Sequence, residues 1–113
     1  MSEPQLTPYY LTLLKTNPDY IPPEEGTKEL LAAHLAYGQK LFDEQGNLLM
    51  SGPTKAPEGE LLEGIYIMRA DSLEEAQELS KNDPAVLAGA LIPIVCTWYT
   101  AEEAVKLWAD SLS

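Results

Sequence analysis

The chain has one cysteine and one histidine in 113 residues, and only 7 lysines and arginines against 18 aspartates and glutamates, a net charge of −11. Each shortage excludes something. A lone Cys96 forbids an intramolecular disulfide and a cysteine-built zinc cluster. The shortage of cations argues against nucleic acid as a partner, because phosphate contacts need a cationic surface, and against anionic membrane surfaces. No apolar run reaches the ~18 residues of a membrane span. The start, MSEPQLTPYY, lacks the basic residues and apolar segment of a signal peptide. No metal-ligand spacing, phosphate-cradling glycine loop or recognisable Ser/His/Asp arrangement is present. The expectation is a cytoplasmic protein with no membrane or nucleic-acid partner, no metal and no cofactor.

What is there is the composition of a globular chain, 45% hydrophobic and 22% charged, long enough for one domain with its own core. We read a single domain over 1–113, with its core at 7–99 and a C-terminal helix at 100–113. TPYYLTLLKT, 7–16, is rich in Tyr, Leu and Thr and stops at Asn17-Pro18, which reads as a strand. Residues 17–26 hold three prolines and a glycine and form a loop or lid. A helical period runs over 27–45, with Gly46 where a C-terminal glycine belongs. Short strand 47–51 ends at Gly52-Pro53, and 61–70 is a second long strand. Ser72 and Glu75 fit a capping box opening a helix to Lys81. DPAVLAG adds one helical turn ending at Gly89. Strand 91–99 follows, with Pro93 suggesting an edge position or an irregular start. Thr100 and Glu103 make a second capping box, and Ala101, Ala104, Val105, Trp108 and Leu112 form the last helix's apolar stripe.

The order β-α-β-β-α-β plus a terminal helix suits a ferredoxin-like α+β sandwich. Strand alternation makes both sheet faces apolar: Leu91, Val95 and Tyr99 point one way, Ile92, Ile94, Cys96 and Trp98 the other. Two central helices cover only one face. The other requires a further layer, and a second copy about a two-fold axis supplies it, so a homodimer is expected.

Each candidate chemical group has an ordinary explanation beside it. His34 sits on the apolar face Leu30, Leu31, His34, Gly38, Leu41, Phe42; a lone helical histidine is most often structural. Gly38 costs ~1 kcal/mol relative to alanine inside a helix; it either leaves space beside the imidazole or permits close helix–sheet packing. Asp83-Pro84 reads first as a helix stop, and Ser51-Gly52-Pro53 as turn chemistry. Tyr9, Tyr10, Tyr66, Trp98 and Tyr99 read as core or interface, and Cys96 as a small buried hydrophobe. Glu24-Glu25 and Glu74-Glu75 are first-turn charges favoured by the helix dipole.

Taken in order, AAHLAYGQKLF, then Leu48-Leu49-Met50-Ser51-Gly52-Pro53, then Gly64-Ile65-Tyr66-Ile67, then Ser72-Leu73-Glu74-Glu75-Ala76 and Asn82-Asp83-Pro84 through Gly89, the sequence resembles the YCII-related family over roughly residues 8–99. The resemblance implies a ferredoxin-like dimer in which two sheets form an α/β barrel. It implies an active site pairing the helical histidine with the aspartate of the "DP" turn, here His34 and Asp83. A few members are linked to dehydrochlorination of hydroxylated aromatics, and related barrels to lactone isomerisation. The chain departs from the pattern in its proline-rich loop 17–26, its terminal helix, and Ala85 where a bulkier residue is usual.

On this resemblance Asp83 would hold one imidazole nitrogen and leave the other as base or acid, work that suits a residue type titrating near pH ~6.5. The implied function is that of a cofactor-free isomerase or a lyase such as a dehydrohalogenase, moving protons on a small cyclic or aromatic molecule. Ser51 or the backbone at Gly52 would donate to the ligand, and Tyr9 or Tyr66 would flank it. The alternative is a non-catalytic small-molecule-binding or regulatory dimer using the same pocket.

Overall fold

The structure, a computed structural model, describes residues 5–111. Its elements are β1 (Leu6–Thr16), α1 (Thr27–Asp43), β2 (Leu48–Pro53), β3 (Leu62–Met68), α2 (Leu73–Lys81), α3 (Pro84–Leu87), β4 (Leu91–Ala101) and α4 (Glu102–Ser111). The four strands form one antiparallel sheet in the order β2-β3-β1-β4, the ferredoxin-like α+β arrangement expected from the element order. Pro93 lies on an edge strand, where its missing N–H costs no ladder bond.

The sheet's covered face carries Tyr10, Thr12 and Leu14 of β1 opposite Tyr66 and Met68 of β3. Leu41 of α1 and Ala76 of α2 close the core over them. The two fully buried hydroxyls there satisfy each other: Thr12 Oγ1 and Ser80 Oγ are 2.8 Å apart, tying β1 to α2. Helix α1 ends at Asp43, two residues before the sequence expectation. The chain then turns through Gly46, whose φ of 68° is the left-handed conformation glycine takes without strain.

Two details of the caps differ from expectation. Ser72 Oγ accepts from the Glu75 N–H at 3.1 Å, but the Glu75 carboxylate turns to the Asp71 N–H at 3.4 Å, so only half of the capping box forms. The Thr100–Glu103 box is absent among the described residues. Thr100 and Ala101 belong instead to β4, paired with Thr7 and Leu6, and α4 starts at Glu102. A β1 that extends to Leu6 offers ladder bonds that a local cap does not outweigh.

The opposite face is open. Ile92, Ile94 and Trp98 are 44%, 42% and 40% exposed, with Ile65 and Ile67 half-buried beside them. Helix α4 does not cover them; Leu107 on that helix is itself exposed. Leu112, the last residue of the expected stripe, lies outside the described residues.

Candidate active site

Asp83 is the N-cap of α3, with Pro84 at the first helical position. Its Oδ1 accepts from the Ala85 N–H at 2.9 Å, the usual work of a capping aspartate. Its other oxygen is left over, and Oδ2 meets His34 Nδ1 at 2.6 Å and the Tyr66 hydroxyl at 2.6 Å. Tyr66 Oη is also 3.3 Å from Nδ1. The helix cap and the contact with His34 and Tyr66 are therefore both formed, one by each carboxylate oxygen.

Asp83 is fully buried. Burial alone would raise its pKa, but the bonds from His34, Tyr66 and the Ala85 N–H, with the imidazole's charge, more than offset this and hold the carboxyl below its ordinary range. Tyr66 moves the other way. Burial first, then its bond to the Asp83 carboxylate, pushes the phenol well above its usual value, so it stays protonated and donates. Tyr37, which donates to Leu79 O at 2.6 Å, is raised by burial and by the Asp83 charge.

An ionised carboxylate only accepts hydrogen bonds, so Nδ1 of His34 must carry a proton. That fixes the tautomer: in the neutral ring, Nε2 has the lone pair. Among the described residues Nε2 has no protein partner and is not buried. The His34 side chain is 18% exposed, and it lines a cavity of about 1050 Å³.

The cavity lies between α1, β2 and the covered face of the sheet. Leu30, Leu31, Leu35 and Phe42 of α1 form one apolar wall, Met50, Ser51, Gly52 and Pro53 of β2 another, and Tyr20 and Pro22 bring the proline-rich loop to its edge. Gly38 also lines it. A Cβ added there would meet only Leu48 Cδ2, at 4.0 Å, which is ordinary contact. Close packing does not demand the glycine, and its missing side chain is cavity space.

Of the sequence-expected residues, His34, Tyr66, Ser51 and Gly52 line this cavity, and Asp83 sits directly behind His34. Tyr9 does not. It pairs with Trp98 and alternates with Tyr10, which faces the core, so its side chain lies on the other sheet face. Sequence reasoning gave Tyr66 a place beside the ligand but missed its bond to Asp83. Spacing puts Tyr66 on the same face of β3 as Met68, and the packing of α1 and α2 makes that the covered face.

Comparison with known proteins gives three findings. A family model described as the YCII-related domain matches residues 9–98. The uncharacterized protein YjpA of Bacillus subtilis (strain 168) is 35% identical over 75 residues, 66% of this chain and 82% of its own. Among solved structures, the 5-chloro-2-hydroxyhydroquinone dehydrochlorinase of Burkholderia phenoliruptrix AC1100, in complex with 2,5-dihydroxybenzoquinone, is 27% identical with a TM-score of 0.59, covering 84% of this chain and 97% of that one.

Proposed function

The chain belongs to the YCII-related family, and from that premise we propose that it is a cytoplasmic homodimer catalysing cofactor-free proton transfer on a small hydroxylated ring compound, as a dehydrohalogenase-type lyase or an isomerase. One observation carries the reading: a histidine whose Nδ1–H is held by a buried, ionised Asp83 while Nε2 opens onto a cavity. The likeness to a dehydrochlorinase supports the substrate class.

In this reading Nε2 takes the proton of a ring hydroxyl. Asp83 stabilises the imidazolium that forms, and Tyr66 keeps Asp83 ionised and oriented. For a chlorinated hydroxyhydroquinone the imidazolium returns its proton to the chlorine-bearing carbon, giving the keto tautomer. A second hydroxyl then loses its proton to Nε2 as a new C=O forms. The ring electrons shift, the C–Cl bond breaks, and chloride leaves. The balance is loss of one HCl, with no external oxidant.

The test is chloride release from 5-chloro-2-hydroxyhydroquinone by the purified protein, and its loss by about 100-fold or more in His34→Gln, the scale of general acid–base catalysis. Saturable binding with no turnover of this compound or of related lactones would replace the proposal with the non-catalytic binding reading.

A further inference from the structure

The β1–β3 ladder pairs Leu14 with Gly64 and then Lys15 with Leu62, leaving Glu63 without a partner across it. This is a β-bulge, a device that re-aims a side chain. Regular alternation would put Glu63 on the open face with Ile65 and Ile67. The bulge instead brings it to the lining of the cavity. There the Thr16 hydroxyl donates to Glu63 Oε1, and Thr16 itself stands opposite Leu91, another lining residue. Oε2 has no partner among the described residues.

None of the described lining residues is a lysine or arginine, and the only other full charge at this site is the carboxylate of Asp83 behind His34 when the imidazole is neutral. Glu63 and Tyr66 are three residues apart on β3, about 10 Å at strand rise. The cavity thus has His34 and Tyr66 at one end, apolar walls, and a carboxylate acceptor at the other.

Resting on the function proposed above, we propose that Glu63 determines specificity: Oε2 accepts a hydrogen bond from a ligand hydroxyl distal to His34, and the cation-free lining selects neutral polyhydroxylated rings over ring carboxylates and phosphate esters. Thr16 is the positioning residue that fixes the other oxygen. A site built to bond a hydroxyl discriminates against the analogue lacking it, because its own polar group is then left unpaired.

The test is binding, followed by amide shifts in NMR titrations under anaerobic conditions, with hydroquinone, phenol and 4-hydroxybenzoate as probes. Wild type should bind hydroquinone about tenfold more tightly than phenol, the scale of one charge-assisted hydrogen bond in a partly solvated site, and 4-hydroxybenzoate most weakly. Glu63→Leu, folded by circular dichroism, should bind hydroquinone and phenol alike. Glu63→Gln should narrow the gap to 4-hydroxybenzoate while keeping part of the hydroquinone preference. Failure of wild type to bind hydroquinone, or an unchanged preference in Glu63→Leu, would overturn the assignment. Because no turnover is involved, the two readings separate. An intact preference without turnover of 5-chloro-2-hydroxyhydroquinone or of related lactones refutes the proton-transfer reading alone. Chloride release with no hydroxyl preference refutes the role of Glu63 alone.

Discussion

Asp83 shows how one side chain can answer to two demands. One oxygen caps α3 and the other holds His34 and Tyr66. Asp83→Asn puts an amide where two donors converge or gives up the cap. It should cost about 1–3 kcal/mol, the cost of leaving buried groups unpaired, read by urea denaturation. The pH dependence has a definite sign. A carboxyl held below its ordinary value contributes stability that is fully present above the unfolded pKa of ~3.9 and disappears as pH falls through the lowered folded value. The stability gap between wild type and Asp83→Asn should therefore close in acid. Tyr66 is the mirror case. Its raised pKa contributes stability present below the unfolded value of ~10 and lost as pH rises beyond it. Tyr66→Phe should lack that alkaline loss, while costing about 1 kcal/mol at neutral pH through one missing hydrogen bond. At this scale the histidine, its neighbouring glycine and the Asp-Pro were legible as unusual residues. Their meeting was not, since 49 positions separate His34 from Asp83 and no local pattern spans that distance; the family pattern alone joined them.

Among elements, the strand and helix order was legible because period and punctuation are local signals. What failed was decided by tertiary pairing. Thr100 carries a sound cap signature, yet the ladder to β1 claims it. Tyr9 and Tyr10 are equivalent as residues in a strand, and which of them faces the helices depends on where α1 and α2 pack, which no strand sequence states. These outcomes make contrasting predictions. Ser72→Ala removes a formed cap and should cost about 1 kcal/mol. Thr100→Ala removes none and should change chemical-denaturation stability by less than about 0.5 kcal/mol. Gly38→Ala should raise the melting temperature, since alanine is favoured by ~1 kcal/mol in a helix interior and the new Cβ has room. The same methyl enters the cavity and should weaken hydroquinone binding in the titration described above.

For the whole molecule, the open face of Ile92, Ile94 and Trp98 is an unfinished surface. Pairing it with a second copy should bury well over ~1,000 Å², and sedimentation equilibrium at micromolar concentration should return the dimer mass. Ile94→Asp should shift that equilibrium to monomer, since the carboxylate would have to be desolvated in the interface. Each protomer carries a net charge of −11, so like-charge repulsion opposes association, and dimer affinity should rise with salt over the range where a Debye length of ~10 Å at 0.1 M shortens.

The division of labour within Asp83 also has a historical consequence. A descendant that abandoned the proposed chemistry would still need its short helix capped, so selection for folding alone would retain the aspartate. The histidine's second employment is weaker: it caps nothing, and its bond to Asp83 Oδ2 is shared with the Tyr66 hydroxyl, which can hold that oxygen without it. In a lineage losing function, position 34 would drift first and position 83 last. Under the function proposed above, the histidine is thus the residue that would tell a working site from a relic among relatives of this chain, and the Asp-Pro pair would not.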